Sequence, residues 1–320
     1  MRLGYFLSSE EHAPSALLEQ AELAQSAGFE ALWISDHFHP WNREQGQSPF
    51  VWAVIGGLSR VTDLPVTTAV TCPTIRTHPA VVAQAAATAG VMTGGRFRLG
   101  VGSGEALNEH VVGGRWPTAD VRLEMLEEAV GVIRRLFTEE DVDHHGTHYT
   151  VEDARIFTRP ETPVPIYVSG FGPKAIDLAA RIGDGFVTTK PSADDIGRYR
   201  DGGGRGPVEA GTKVCWAPSK EDGVATAHRL WANSGLPGEL AQVLPGVRHF
   251  EQASTLVTQE STAESVPAGP DPAPYLKTLA QYADAGVDTL FVAQMGPDQK
   301  GFFDFWTREV APRWAEQDAS

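Results

Sequence analysis

Short apolar runs and longer amphipathic stretches alternate along this chain. Residues 3–7 form an apolar run that predicts a first strand, and residues 14–27 carry apolar positions at helical spacing up to Gly28. Residues 31–34 predict strand two, residues 49–60 a helix, and the β-branched run 65–70 strand three. An alanine-rich helix is expected over 79–92, strand four over 97–101, and a strongly amphipathic helix over 121–137 that starts near Thr118 or Asp120. Residues 143–157 are polar and aromatic and read as a hairpin excursion. Strand five follows at 164–168, a short helix at 173–182, strand six at 185–189 and a candidate strand seven at 212–217. A helix at 275–285, strand eight at 289–293 and a last helix from 302 complete the series. Residues 197–210 are glycine-rich and read as loop. Residues 218–272 lose the strand–helix rhythm and read as an insertion before the last unit, of the kind that forms lids or specificity walls.

Eight strands, each followed by helical material, predict an α/β fold closed as a (β/α)8 TIM barrel, one domain over residues 1–320 with the insertion at 218–272. An open doubly wound sheet fits the same alternation, but no G-x-G-x-x-G fingerprint follows strand one.

Charge narrows the partners. The 320 residues hold 26 basic and 41 acidic side chains, a formal net charge of -15. That balance argues against nucleic acid and against anionic membrane surfaces, and it points to a soluble, cytoplasmic protein with a small-molecule substrate. The opening residues read as neither a signal peptide nor a membrane span. Cys72 and Cys215 are far apart and in no metal-like spacing, so they read as reduced, packed thiols, and no metal site is expected.

In a barrel of this kind chemistry is done at the carboxyl ends of the strands. Strand two runs into Ser35-Asp36-His37-Phe38-His39-Pro40-Trp41, an acid, two imidazoles and an indole. Strand four runs into Gly102-Ser103-Gly104-Glu105-Ala106-Leu107-Asn108-Glu109. A neutral imidazole such as His37 can give or take a proton near pH 7. Glu105 or Glu109 can equally cap the helix that follows. Asn108 offers a donor and an acceptor to the edge of a heterocycle, or simply starts that helix. Ser169-Gly170-Phe171-Gly172-Pro173 opens a helix where backbone N–H groups can hold phosphate. Strand three ends Ala69-Val70-Thr71-Cys72-Pro73-Thr74, whose apolar face can press on a ring system or belong to the core.

These motifs, with Pro73-Thr74-Ile75-Arg76 and Gly183-Asp184-Gly185-Phe186, resemble the coenzyme F420-dependent branch of the bacterial luciferase-like barrels, and in particular the F420-dependent glucose-6-phosphate dehydrogenases. The resemblance covers nearly the whole chain. It implies an oxidoreductase that transfers a hydride between the deazaflavin and an alcohol or carbonyl, working as a homodimer. It implies catalytic roles for His37, Glu105 and Trp41. It places Asp36, Ala69, Val70, Cys72, Asn108, Phe171, Gly172, Lys174 and Ala175 around coenzyme F420, with a non-proline cis bond at Ala69–Val70.

Two departures stand out. Cys72 occupies the place of a threonine that bonds the cofactor, and a thiol is the weaker partner. Thr189 matches the threonine of the sugar-phosphate site, but Ser192, Ala241 and Ser265 stand where its two lysines and arginine are expected, and Glu264 adds a negative charge. Lys190 can replace one cation. Thr189 and Lys190 are therefore the expected substrate residues, and the expected substrate is unphosphorylated. The alternatives are a sugar-6-phosphate dehydrogenase, an FMN-dependent monooxygenase of the same barrel type, and a barrel that only binds a cofactor.

Overall fold

The computed structural model describes residues 1–318. Ten strands run in chain order: β1 Arg2–Leu7, β2 Leu32–Ile34, β3 Val66–Thr68, β4 Phe97–Val101, β5 Val142–His145, β6 Thr150–Ala154, β7 Ile166–Ser169, β8 Gly185–Thr188, β9 Val208–Val214 and β10 Thr289–Gln294. Eight of them close a parallel barrel in the order β1-β10-β9-β8-β7-β4-β3-β2, and β5 with β6 forms the expected antiparallel hairpin outside it. Closure settles the choice between barrel and open sheet: β1 pairs with both β2 and β10, so the sheet has no edge.

Alternation along each strand sorts the side chains. Leu32, Ile34, Val66, Leu99, Ile166, Val168, Phe186, Val208, Leu290 and Val292 join the large buried cluster that also holds the helical residues Leu17, Ile55, Ala83, Leu126, Ile133, Ile176 and Leu279. The other face fills the barrel. Trp33 stacks on Phe291 with ring centroids 4.5 Å apart and planes 9° apart. A Cβ at Gly211 would fall 2.5 Å from the Trp33 ring, so β9 can pass this indole only as glycine. Tyr167 and Val187 complete this plug. Below it the Trp33 indole N–H donates to Glu209 Oε2 at 2.7 Å, and Arg98 donates to Glu209 Oε1 at 2.9 Å. The plug fills the lower barrel, and the residues above it at the carboxyl ends form its mouth.

Three expectations change. β9 begins at Val208, four residues before the expected start, because Glu209 and Gly211 are selected by the barrel interior and not by an apolar run. Residues 197–210 are not simply loop: the helix Ala193–Asp201, capped by the Ser192 hydroxyl on the Asp195 N–H, occupies their first part. The stretch 218–272 folds into helices, among them Lys220–Trp231, Val247–Ser254 and Gln259–Ser265. Ser219 caps the first of these on the Asp222 N–H at 3.1 Å. Val224, Ala227, Leu230 and Trp231 then pack with Cys215, Ala268 and Met295 into a second apolar cluster, which Trp41 joins. Among the described residues no helix is long and apolar enough to cross a membrane, and no group of three or more His, Cys, Asp or Glu side chains could hold a metal ion.

Removing the Glu209 carboxylate would leave the half-buried Arg98 guanidinium and the buried Trp33 indole N–H without their shared acceptor. Glu209→Ala is expected to cost about 3–5 kcal/mol and Glu209→Gln clearly less, measured as the drop in thermal midpoint of the two variants against the parent.

Candidate active site

Glu10, His37 and Glu105 come from three strand ends and lie in one row. The chain leaving β1 turns at Ser8 and Ser9, which are buried, and Ser9 fixes it to the end of β2: its N–H donates to Ser35 Oγ at 3.0 Å and its hydroxyl to the Ser35 carbonyl at 2.8 Å. This sets Glu10, 1% exposed, beside His37. Glu10 Oε2 accepts from the hydroxyls of Ser8 and Ser35, both at 2.9 Å, and its Oε1 forms a close ion pair with His37 Nδ1.

Burial alone would raise the Glu10 pKa and lower that of His37. Their mutual charge and hydrogen bond outweigh it, taking Glu10 from its ordinary 4.5 down to about 2 and His37 from 6.5 up to about 9. Glu105 and Asp36 add to the rise at His37. His37 is therefore an imidazolium at neutral pH, and its other nitrogen, Nε2, lies 3.6 Å from Glu105 Oε1.

Glu105 occupies the N-cap position of the short helix Ala106–Glu109 but makes no capping bond with its side chain. It accepts instead from Asn108 Nδ2 at 2.6 Å. Asn108 Oδ1 accepts from the N–H groups of Phe38 and His39, both at 2.8 Å, which fixes the amide's orientation and ties the two loops together. Trp41 meets the His37 ring edge-on at 5.1 Å and Phe250 of the insertion at 5.0 Å. Its loop is fastened to the insertion by Asn42 and Gln45, whose amides donate to the Leu230 carbonyl at 2.7 and 2.9 Å.

Asp36 is 4% exposed and points to the other side. Its Oδ1 accepts from Arg76 at 2.8 Å and its Oδ2 from Thr71 at 2.7 Å. Glu109, also buried, accepts from the Arg76 N–H at 2.8 Å. Burial pushes the Glu109 carboxyl up to about 7 against that hydrogen bond, with Glu105 adding to the rise. Cys72 is buried next to this network, and burial raises its thiol pKa further.

The floor of the mouth is formed by the end of β3. The Ala69–Val70 peptide is cis, and both side chains pack on the plug of Trp33, Tyr167, Val187 and Phe291. A Cβ at Gly104 (φ +83°) would fall 2.8 Å from Glu109 and 3.3 Å from Trp116, so glycine keeps this loop in place. Across the barrel, Gly172 starts the helix Pro173–Ile182 with open space around it. The first-turn N–H groups of Lys174 and Ala175 have no intrahelical acceptor and suit an anionic tail. Phe171 is exposed at that corner, while the Lys174 ammonium is paired with Asp120 at 2.8 Å. Thr189 and Lys190 are exposed at the end of β8, and the Thr189 carbonyl accepts from Tyr282.

The structure thus brings His37, Glu105 and Trp41 together, with Asn108 behind them and Asp36 beside them. Glu10, Arg76 and Glu109 were not expected as parts of the site. Glu10-Glu11-His12 follows β1 just as Asp36-His37 follows β2, and that parallel is the signal the sequence offered.

The sequence model of the luciferase-like monooxygenases matches residues 1–299. The chain belongs to that family. It is 36% identical to an F420-dependent glucose-6-phosphate dehydrogenase of Microbacterium testaceum, over 98% of this chain and 97% of the relative, and 34% identical to that of Mycolicibacterium smegmatis, over 98% of each. Among solved structures, an F420-dependent secondary alcohol dehydrogenase in complex with an F420-acetone adduct superposes with a TM-score of 0.91 at 31% identity, covering 98% of each chain.

The Glu10–His37 pair has a defined pH window. His37 has its pKa raised from 6.5, so its stabilisation is full below 6.5 and lost as pH rises through about 9. Glu10 has its pKa lowered from 4.5, so its share is full above 4.5 and lost as pH falls through about 2. Glu10→Gln removes the charge but not the burial, so the His37 ring is expected to titrate well below about 9, with Glu105 and Asp36 still opposing the fall, read by NMR of its ring protons. A His37 titration unchanged in that variant would break the assignment.

Proposed function

We propose that this chain is a coenzyme F420-dependent oxidoreductase that interconverts an unphosphorylated alcohol and its carbonyl. The observation that carries the reading is the row Glu10–His37–Glu105 at the mouth of a barrel whose cis Ala69–Val70 floor can carry a flat ring. The F420-dependent relatives in both comparisons support the cofactor.

When bound, the deazaflavin supplies a two-electron acceptor or donor. Ala69 and Val70 would carry the ring, with Asp36, Cys72 and Asn108 along its edge, and Phe171, Gly172, Lys174 and Ala175 would hold the tail. The protein's own task is to move a proton at the substrate oxygen. His37 holds one at Nε2 that Glu10 keeps there, so it is set to donate to a carbonyl oxygen in the reducing direction. In the oxidising direction Glu105, 3.6 Å from that nitrogen, can take the hydroxyl proton. Trp41 and the insertion behind it keep water from the ion pair and position the substrate.

The donor set speaks against a phosphorylated substrate. The Ser192 hydroxyl is engaged in capping its helix, and Ser265 Oγ donates to the Ser261 carbonyl at 3.0 Å. Ala241 has no donor at all, and Lys190 is an exposed lysine on its own. The names of the curated relatives favour the second reading, a glucose-6-phosphate dehydrogenase.

F420 reduction, followed by its loss of fluorescence, separates the two. Turnover of secondary alcohols without turnover of glucose 6-phosphate is expected, and the reverse pattern would replace the first reading with the second. His37→Ala and Glu105→Gln are each expected to lower kcat roughly a hundredfold or more with little change in F420 affinity. Asp36→Ala, which frees Arg76 and Thr71, is expected to weaken F420 binding first.

The homodimer implied by the resemblance belongs to the same proposal. Phe50, Val81 and Met92 are exposed on the neighbouring helices Val51–Val61 and Pro79–Met92 and at their start, and a second copy would cover this apolar band. Light scattering is expected to give twice the chain mass of 34.5 kDa, and the single mass would remove the dimer.

A further inference from the structure

The upper barrel interior contains a lysine without a counter-ion. On β9, Glu209 and Gly211 face the Trp33 indole, so Lys213, two residues on, points into the barrel at its carboxyl end. It pairs in register with the small Ala293 on β10. Among the described residues its ammonium makes no hydrogen bond and no ion pair. Its close partner is the face of Trp231, 4.3 Å from Nζ to the ring centroid.

The nearby carboxylates are already committed. Glu10 is paired with His37. Glu11 accepts from the Trp231 indole N–H at 2.5 Å and from the Gly296 N–H at 2.8 Å, and burial pushes its carboxyl up to about 7. Both act on Lys213 only through space, and burial outweighs them, so the lysine pKa is lowered. A partly desolvated ammonium with no bonded acceptor is stabilised by an incoming anion. Trp231, held by Glu11, covers one side of the ammonium with its ring, and none of the ammonium's N–H groups is committed to a protein acceptor.

We propose that Lys213 is a substrate contact and that the substrate selected here carries a carboxylate in addition to the oxygen that reacts. This rests on the alcohol–carbonyl reading above and narrows its substrate class. A single ammonium next to Glu10 and Glu11 can answer one negative charge. A phosphate dianion there would face both carboxylates with only one donor group, so the site favours a monoanion.

The test compares butyrate with uncharged, similarly shaped butyramide as unreactive probes, titrated into the F420-loaded protein by calorimetry. The parent is expected to bind butyrate about tenfold or more tightly than butyramide. Lys213→Met and the polar, neutral Lys213→Gln are expected to abolish that preference without changing F420 affinity. In turnover, 3-hydroxybutanoate is expected to lose its kcat/KM advantage over 2-butanol in both variants, through KM. No preference for butyrate in the parent, or a preference that survives in Lys213→Gln, would overturn the proposal. Failure of F420 to bind would instead remove the functional reading, and the same two-probe comparison on the cofactor-free protein would still decide the role of Lys213.

Discussion

A carboxylate taken out of water keeps its charge only if an opposite charge and hydrogen-bond donors meet it. Glu10 has both: the His37 ring on one oxygen and the Ser8 and Ser35 hydroxyls on the other. The rest of the site follows from this pair. It holds a proton on an imidazole whose outer nitrogen faces Glu105, and it fixes which nitrogen is outer. Without Glu10, burial would favour the neutral ring, and His37 would lose both its charge and its orientation. The two serines come from adjacent strand ends, so the pairing of β1 with β2 is what builds the pair. The charge on His37 therefore depends on the register between the chain's first two strands.

The plug fills the barrel beneath the mouth. Trp33, Phe291 and Tyr167 fill the lower barrel with rings, and Glu209 with Arg98 satisfies the one indole N–H that would otherwise be buried unpaired. Above the rings the strands turn to small or polar residues: Ala69 on β3's end, Gly102 after β4, Ser169 on β7 and Ala293 on β10. Large side chains thus lie below and small ones above. Lys213 is the long side chain that breaks this pattern, and Trp231 from the insertion folds over it.

Most of the fold was legible because the buried strands carry continuous apolar runs and the helices carry apolar stripes. The failures share a cause. β9 was placed late because Glu209 and Gly211 do not look like strand residues until Trp33 stands opposite them. Nothing local in the sequence distinguishes Glu10 from a surface glutamate, and only the fold brings it to a histidine from another strand. Asp36, His37 and Trp41 were legible because three chemically distinct residues crowd one strand end. Glu105 was ambiguous between helix cap and acid. The structure separates these, since its side chain leaves the N–H groups of its helix and turns to His37 and Asn108.

The row Glu10–His37–Glu105 hangs from the ends of β1, β2 and β4. Beside it stand the short helices of the insertion, which meet the barrel through Trp41, Phe250 and the Leu230 carbonyl. Ala241 and Ser265 lie in the insertion, away from the Glu10–His37 pair, whereas Ser192 caps a barrel helix on the Asp195 N–H. Trp41 belongs to both parts, touching His37 on one edge and Phe250 on the other. A substrate that moves the insertion therefore moves the indole, and through it the water access of the buried pair. One ring thus joins the insertion to the buried pair.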